Sequence, residues 1–176
     1  MSVDEFLVWA ESQPGRHELV HGRVIAMAPE RLRHTRAKFT ATLALRSAVG
    51  KVGAPCEVWP DGVTVRVDAS TAFEPDVLVR CGPPLDETGI EVPDPLIVVE
   101  VLSPSTRNYD AGAKLTGYFR ISSLQHYLII DADQRVIVHH QRLDGGMIAA
   151  RIVGFGPISL DPPGIEVSVE DMLPPP

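Results

Sequence analysis

The chain has 176 residues, 44% hydrophobic and 22% charged, a balance that excludes a disordered or fibrous protein and leaves an ordinary globular one. One domain over residues 1–173 is expected, with the three prolines 174–176 as a frayed tail. No run approaches a membrane span and the first residues lack a basic and apolar leader, so no membrane partner is expected and the cytoplasm is the expected compartment.

Taken in order, residues 3–11 read as a short amphipathic helix with Phe6, Leu7, Trp9 and Ala10 on its apolar side, closed by the turn dipeptide Pro14-Gly15. Residues 17–28 read as a β-hairpin about His21-Gly22, with Leu19, Val20, Val24, Ile25 and Met27 as candidate core. A long helix is expected over 32–49, since Ala37, Ala41, Ala44, Leu45 and Ala48 recur at near-helical spacing before Gly50 and Gly53. Six basic residues (Arg31, Arg33, Arg36, Lys38, Arg46, Lys51) and no acidic one lie on this stretch, although the whole chain carries −7. Such a helix is either a phosphate-facing surface on an acidic body or a solvated helix face. His34, near its start, reads as a surface or packing residue.

Residues 56–58 and 63–67 read as a second strand pair around Pro60-Asp61-Gly62. Cys56 and Cys81 have no partners at metal-ligand spacing and read as free thiols. Residues 74–80 are a β-branched run with Asp76 at its mouth, and the Pro- and Gly-rich segment 81–94 reads as a mobile active-site rim.

The stretch 94–114 carries the chemistry. Pro95-Leu96-Ile97-Val98-Val99 reads as a buried strand, Glu100 follows directly, and Pro104 stops the strand because it cannot donate to a ladder. A carboxylate flanked by Val99 and Val101 needs a partner to be buried there. If the two strands pair, Asp76 and Glu100 converge, an oxygen pair suited to a hard divalent cation. A helix is expected over 108–120, with Asp110, Lys114 and Tyr118 on one face. Lys114 either pairs with Asp110 at the surface or offsets negative charge at the carboxylate site. Three further strands follow at 125–131, 135–141 and 147–154, the first two around Asp131-Ala132-Asp133, and His139-His140 must point to opposite faces. A short strand and turn segment over 158–173 closes the chain.

Pro75-Asp76, then Glu100 within Glu-Val-Leu-Ser-Pro-Ser-Thr, then Asp110 and Lys114, resemble the Uma family of putative restriction endonucleases, in the PD-(D/E)xK nuclease-like superfamily. The resemblance extends from His17-Glu18-Leu19-Val20-His21-Gly22 to Gln125–Asp131. It implies an α/β (α+β) fold, a restriction-endonuclease-like core with a mixed β-sheet flanked by helices and additional antiparallel hairpins. It implies a metal-dependent endonuclease acting on DNA, with Mg²⁺ or Mn²⁺ held by Asp76 and Glu100 and a backbone carbonyl near Val101. Glu18 and Lys114 join those two as the catalytic set, and a homodimer is expected. The superfamily lysine usually stands two residues after the second acid, where this chain has Leu102, so Lys114 is a relocated lysine. An alternative is a catalytically inactive nuclease-fold module binding nucleic acid or protein, favoured by the acidic charge and by Leu102. A glycosidase-type carboxylate pair is a third reading, which nothing in the sequence supports.

Overall fold

The computed structural model describes residues 1–102 and 110–175. Ser103 to Thr106, the end of the central motif, lie outside the described residues, as does the side chain of Asp110.

Helix α1 (Val3–Ala10) is opened by a reciprocal box in which the Ser2 hydroxyl accepts from Glu5 N–H and the Glu5 carboxylate accepts from Ser2 N–H. Strands β1 (His17–Val20) and β2 (Arg23–Ala26) form the expected hairpin. His21 and Gly22 both take positive φ, 49° and 76°, the mirror-image turn whose twist matches the strands. Helix α2 (Leu32–Val52) runs through Gly50 and stops at Gly53, which takes the left-handed conformation at φ 63°.

Then come β3 (Cys56–Pro60), β4 (Val65–Asp68), β5 (Thr71–Phe73), β6 (Val77–Cys81), β7 (Ile97–Val101), α3 (Asp110–Tyr118), β8 (His126–Asp131), β9 (Val136–Arg142), β10 (Ile148–Val153), β11 (Pro157–Leu160), β12 (Ile165–Ser168) and α4 (Val169–Met172). Among the described residues these strands form sheets in the orders β2-β1-β5-β4, β10-β9-β8-β7-β6-β3 and β11-β12. The middle sheet is mixed: β7 and β8 run parallel, with α3 in the crossover between them, and its other neighbours are antiparallel. This is the expected α+β architecture.

Two expectations fail here. β3 and β4 do not pair with each other: β3 pairs with β6 and β4 with β5, in different sheets. Asp61-Gly62 is still a turn, but it carries the chain between sheets and delivers Asp61 to the interior side of α2. Cys56 and Cys81 are not free thiols; they stand directly opposite on β3 and β6 and form a disulfide. Their separation of 25 residues gave no sign of that, because cross-strand neighbours are set by sheet order.

The central strands are buried on both faces, and alternation decides which face each residue meets. Val77, Val79, Ile97, Val99 and Val101 pack with Ala37, Ala41, Leu45 and Ala48 of α2 and with the β11–β12 hairpin. Leu78, Val98, Tyr127 and Ile129 face the opposite way, against Phe73, Tyr118 and Leu124. Glu100 has the parity of Val98, so it points toward the α3 side.

Candidate active site

β6 and β7 are antiparallel with Val77 opposite Val99, so Asp76 and Glu100 are the next residues outward at the same sheet end. Both are buried, 3% and 9% exposed, at the wall of a cavity of about 360 Å³ also lined by Glu18, Glu30, His34 and Lys114. Asp76 Oδ2 accepts from Val101 N–H at 2.6 Å, which locks the carboxylate across the strand gap.

Lys114 points inward from α3. Its Nζ lies 2.9 Å from Glu18 Oε1 and 3.0 Å from Glu100 Oε1. Glu18, on β1, also accepts from Glu74 N–H at 3.0 Å, tying the hairpin sheet to the mouth of β6. Glu100 Oε1 takes a second hydrogen bond from the Tyr118 hydroxyl at 2.8 Å. Lys114 and Tyr118 are one helical turn apart, so one face of α3 delivers both donors to one oxygen. Gly117 makes that approach feasible: a Cβ there would stand 2.6 Å from Phe73 Cε2. Lys114 Nζ sits 5.7 Å from the centroid of the same ring. The four expected residues Glu18, Asp76, Glu100 and Lys114 are thus brought together. Tyr118 is fully buried and orients Glu100.

The electrostatics are unbalanced. Burial pushes the Glu100 carboxyl up to about 8, against the pull of Lys114 and with added repulsion from Asp76 and Glu18. Burial, and then the Glu100 charge, hold the Tyr118 phenol well above its usual value, which keeps it a donor.

On the α2 side the structure adds residues that lie outside the expected catalytic set. Lys38 is only 4% exposed. Its ammonium contacts Asp76 Oδ1 at 2.8 Å, Asp61 Oδ2 at 2.9 Å and Glu30 Oε1. Burial alone would lower its pKa, but those three carboxylates reverse this and raise it, so Lys38 stays charged. Glu30 and Asp61 are held below the usual carboxylate range by Lys38, despite their own partial burial. Arg16 joins the network, reaching Asp61 and Glu74 at 2.7 Å and Glu30 at 3.2 Å. His34, one turn before Lys38, holds Val101 O at 2.6 Å through Nε2 and has Nε2 3.7 Å from Asp76 Oδ2. The ligand atoms of Glu30, His34 and Asp76 lie within 4.8 Å of one another. Among the described residues, six carboxylates (Glu18, Glu30, Asp61, Glu74, Asp76, Glu100) therefore meet three Lys or Arg side chains (Arg16, Lys38, Lys114).

The rim differs from expectation. The cavity is lined by residues of 25–34, Met27, Pro29, Arg31 and Arg33 among them, and by Ala132 and Asp133, with no contribution from 81–94. That segment instead bridges through Glu91 to Thr64, the residue just before β4. The basic helix is also split in placement: Lys38 turns inward, while Arg31 and Arg33 stand at the cavity mouth.

A family model described as "Uma2: Putative restriction endonuclease" matches residues 3–174. This chain belongs to the Uma2 family. It is 27% identical over 172 residues to the uncharacterized protein slr1290 of a Synechocystis strain, covering 97% of this chain and 90% of that one. A second Synechocystis protein, the uncharacterized sll1609, is 27% identical over 146 residues, 81% of each chain. A solved structure titled as a putative nuclease belonging to DUF820, from Anabaena variabilis, superposes with a TM-score of 0.72 at 17% identity, over 98% of this chain and 97% of that one. The last comparison shows a shared fold.

In this Uma2-family chain the missed residues had a signal. His34 and Lys38 sit on the stripe that Ala41, Leu45 and Ala48 continue, and 3.6-residue periodicity alone turns that stripe inward. Glu30 and Asp61 had none, because both lie outside regular elements and meet Lys38 only through the sheet order.

Proposed function

We propose that this protein is a divalent-metal-dependent endonuclease that hydrolyses DNA phosphodiester bonds, with Mg²⁺ or Mn²⁺ held by Asp76 and Glu100. The observation that carries the reading is their convergence at one end of β6 and β7, beside a buried lysine and on one cavity wall. Membership of the family supports the nuclease class. The donor set fits a hard cation: two carboxylates and the Val101 carbonyl, which keeps a lone pair after accepting from His34. The excess of carboxylates over basic groups favours cation entry.

The ion supplies Lewis-acid stabilisation of phosphoryl charge. The chain supplies the rest. Lys114, steadied by Glu18, offers a fixed positive charge toward the group that becomes more negative during displacement. Tyr118 holds Glu100 in one rotamer. Arg31 at the mouth, and Arg33 once released from its exposed partner Asp133, provide phosphate contacts that position a strand without reading its sequence. A homodimer would bring two such sites to the two strands. The cytoplasm is the proposed compartment, so the reduced state of Cys56 and Cys81 bears on the working protein.

One observation favours the second reading, an inactive nuclease-fold module: Asp76 and Glu100 each already hold a lysine, Lys38 and Lys114. Calorimetric titration of Mn²⁺ and Mg²⁺ into wild type and Asp76→Ala, with plasmid nicking in the same buffers, separates the two. Binding and nicking by wild type, both lost in the variant, establish the enzyme. A folded wild type that binds neither ion leaves the module.

A further inference from the structure

Lys38 is an anomaly within its own helix. Its neighbours on the inward stripe are Ala37, Ala41 and Leu45, all fully buried in the apolar core, and a lysine there must give up water that an exposed position would let it keep. What it meets is three carboxylate oxygens from three separate segments: Glu30 ahead of α2, Asp61 after β3, and Asp76 ahead of β6. An ammonium has three protons and no acceptor, so every donor is spent. A compact, strongly hydrated point charge among carboxylate oxygens is also what a hard divalent cation is.

The position of that charge matters as much as its surroundings. Asp76 Oδ2 is committed to Val101 N–H, leaving Oδ1 as the oxygen nearest Lys38. His34 approaches the same carboxylate from one turn earlier on α2, and its Nδ1 is buried with no hydrogen-bond partner among the described residues. That nitrogen lies 3.4 Å from Glu30 Oε2. The three carboxylate oxygens that hold the Lys38 ammonium are the kind a hard cation takes as ligands, and two of them are shared with Arg16.

We infer that Lys38 is an internal counter-cation that occupies the divalent-ion position at Asp76, and that ion binding requires its ammonium to leave. This rests on the metal-dependent reading above and adds a gate to it. An ammonium and a divalent ion repel at contact distance, so the two cannot share Asp76 Oδ1. Lys38 therefore sets the affinity and the resting state of the site, holding the carboxylates together until a cation of higher charge replaces it. Lys114, on the opposite face, keeps its own partners Glu18 and Glu100 throughout.

The test has two parts, both in the intact chain. In the first, Mn²⁺ is titrated calorimetrically into wild type, Lys38→Met and Lys38→Met/Asp76→Asn, with melting curves to establish folding. Removing the competitor is expected to tighten Mn²⁺ binding by about tenfold or more, since three charge-assisted hydrogen bonds no longer oppose entry. The double variant is expected to lose that gain. The second part needs no variant: wild type is treated with an amine-acylating reagent, with and without saturating Mg²⁺, and Lys38 is quantified by peptide mass. Lys38 is expected to be protected without the ion and acylated at least about tenfold faster with it, as a buried amine becomes a solvated one. If wild type binds Mn²⁺ and nicks DNA while Lys38 stays protected, the inference falls and the nuclease reading stands. Should no chain bind Mn²⁺, Lys38→Met included, both fall together.

Discussion

Glu100→Gln is expected to stabilise the metal-free protein, and the gain is expected to grow with pH. Burial raises this carboxyl from an ordinary 4.5 to about 8. Over that range the folded chain keeps a proton that the unfolded chain has released. Stability from this group is therefore fully present below the unfolded value near 4.5 and is lost as pH rises through the folded value near 8. At about 1.36 kcal/mol per pH unit the full displacement corresponds to roughly 5 kcal/mol. Because Lys114, Asp76 and Glu18 share the titration, about 2–5 kcal/mol is the range expected. Glutamine keeps the shape: both hydrogen bonds, from Lys114 at 3.0 Å and Tyr118 at 2.8 Å, land on Oε1, where the amide oxygen can accept them. Urea melts in a metal chelator at pH 5, 6.5 and 8 should show the two proteins nearly equal at pH 5. At pH 8 the variant should lead by about 2–5 kcal/mol, a rise of roughly 5–15 °C in Tm. Mn²⁺ should then stabilise wild type and not the variant. A variant less stable than wild type at pH 8, or a difference independent of pH, would refute the argument that burying an ionised Glu100 is what the fold sacrifices for the site.

Three further outcomes follow from other parts of the molecule. His139 and His126 are buried side by side, with Arg151 donating to His139 Nδ1 at 3.3 Å, the rings linked at 3.0 Å, and His126 Nε2 donating to Pro162 O at 3.1 Å. That chain needs both rings neutral, and burial lowers His139 to about 4. The unfolded chain binds this proton first, so stability is lost as pH falls from 6.5 toward 4, by on the order of 1 kcal/mol per pH unit. The Glu100 slope opposes it, so acid titration in the Glu100→Gln background should expose it, and His139→Leu in that background should flatten it. Reducing the Cys56–Cys81 disulfide, which closes a separation of 25 residues, should cost about 3 kcal/mol, seen as a Tm drop of roughly 6–12 °C. An unchanged melting curve with a phosphine reductant would count against it. Gly117→Ala gains about 1 kcal/mol of helix propensity, yet its Cβ must push on Phe73 Cε2 from 2.6 Å. Overpacking of about 1–3 kcal/mol should win, with weaker Mn²⁺ binding as α3 shifts, and a more stable variant would contradict the close approach.

Local chemistry determined a good deal of this protein from the sequence alone. The hairpin turn at His21-Gly22 follows from residues adjacent in the chain. So does the buried run into Glu100, because an ionisable residue between Val99 and Val101 announces a site wherever the strand ends up. The convergence of Asp76 with Glu100 followed from one added assumption, that two β-branched runs pair. Lys114 and Tyr118 sharing a helix face needed only the helical period.

Tertiary structure decided the rest, where a residue's partner depends on sheet order or on which side of a helix is covered. Asp61-Gly62 has the chemistry of a hairpin turn and makes a turn, but β3 and β4 leave it for different sheets, and a turn dipeptide cannot encode that. Cys56 and Cys81 meet because β3 lies beside β6. Lys38 looks, in composition, like the solvated arginines around it. Its burial becomes favourable only once Glu30, Asp61 and Asp76 have been brought from three segments to one point. A buried charge is stable only with its partners assembled, and that assembly is non-local.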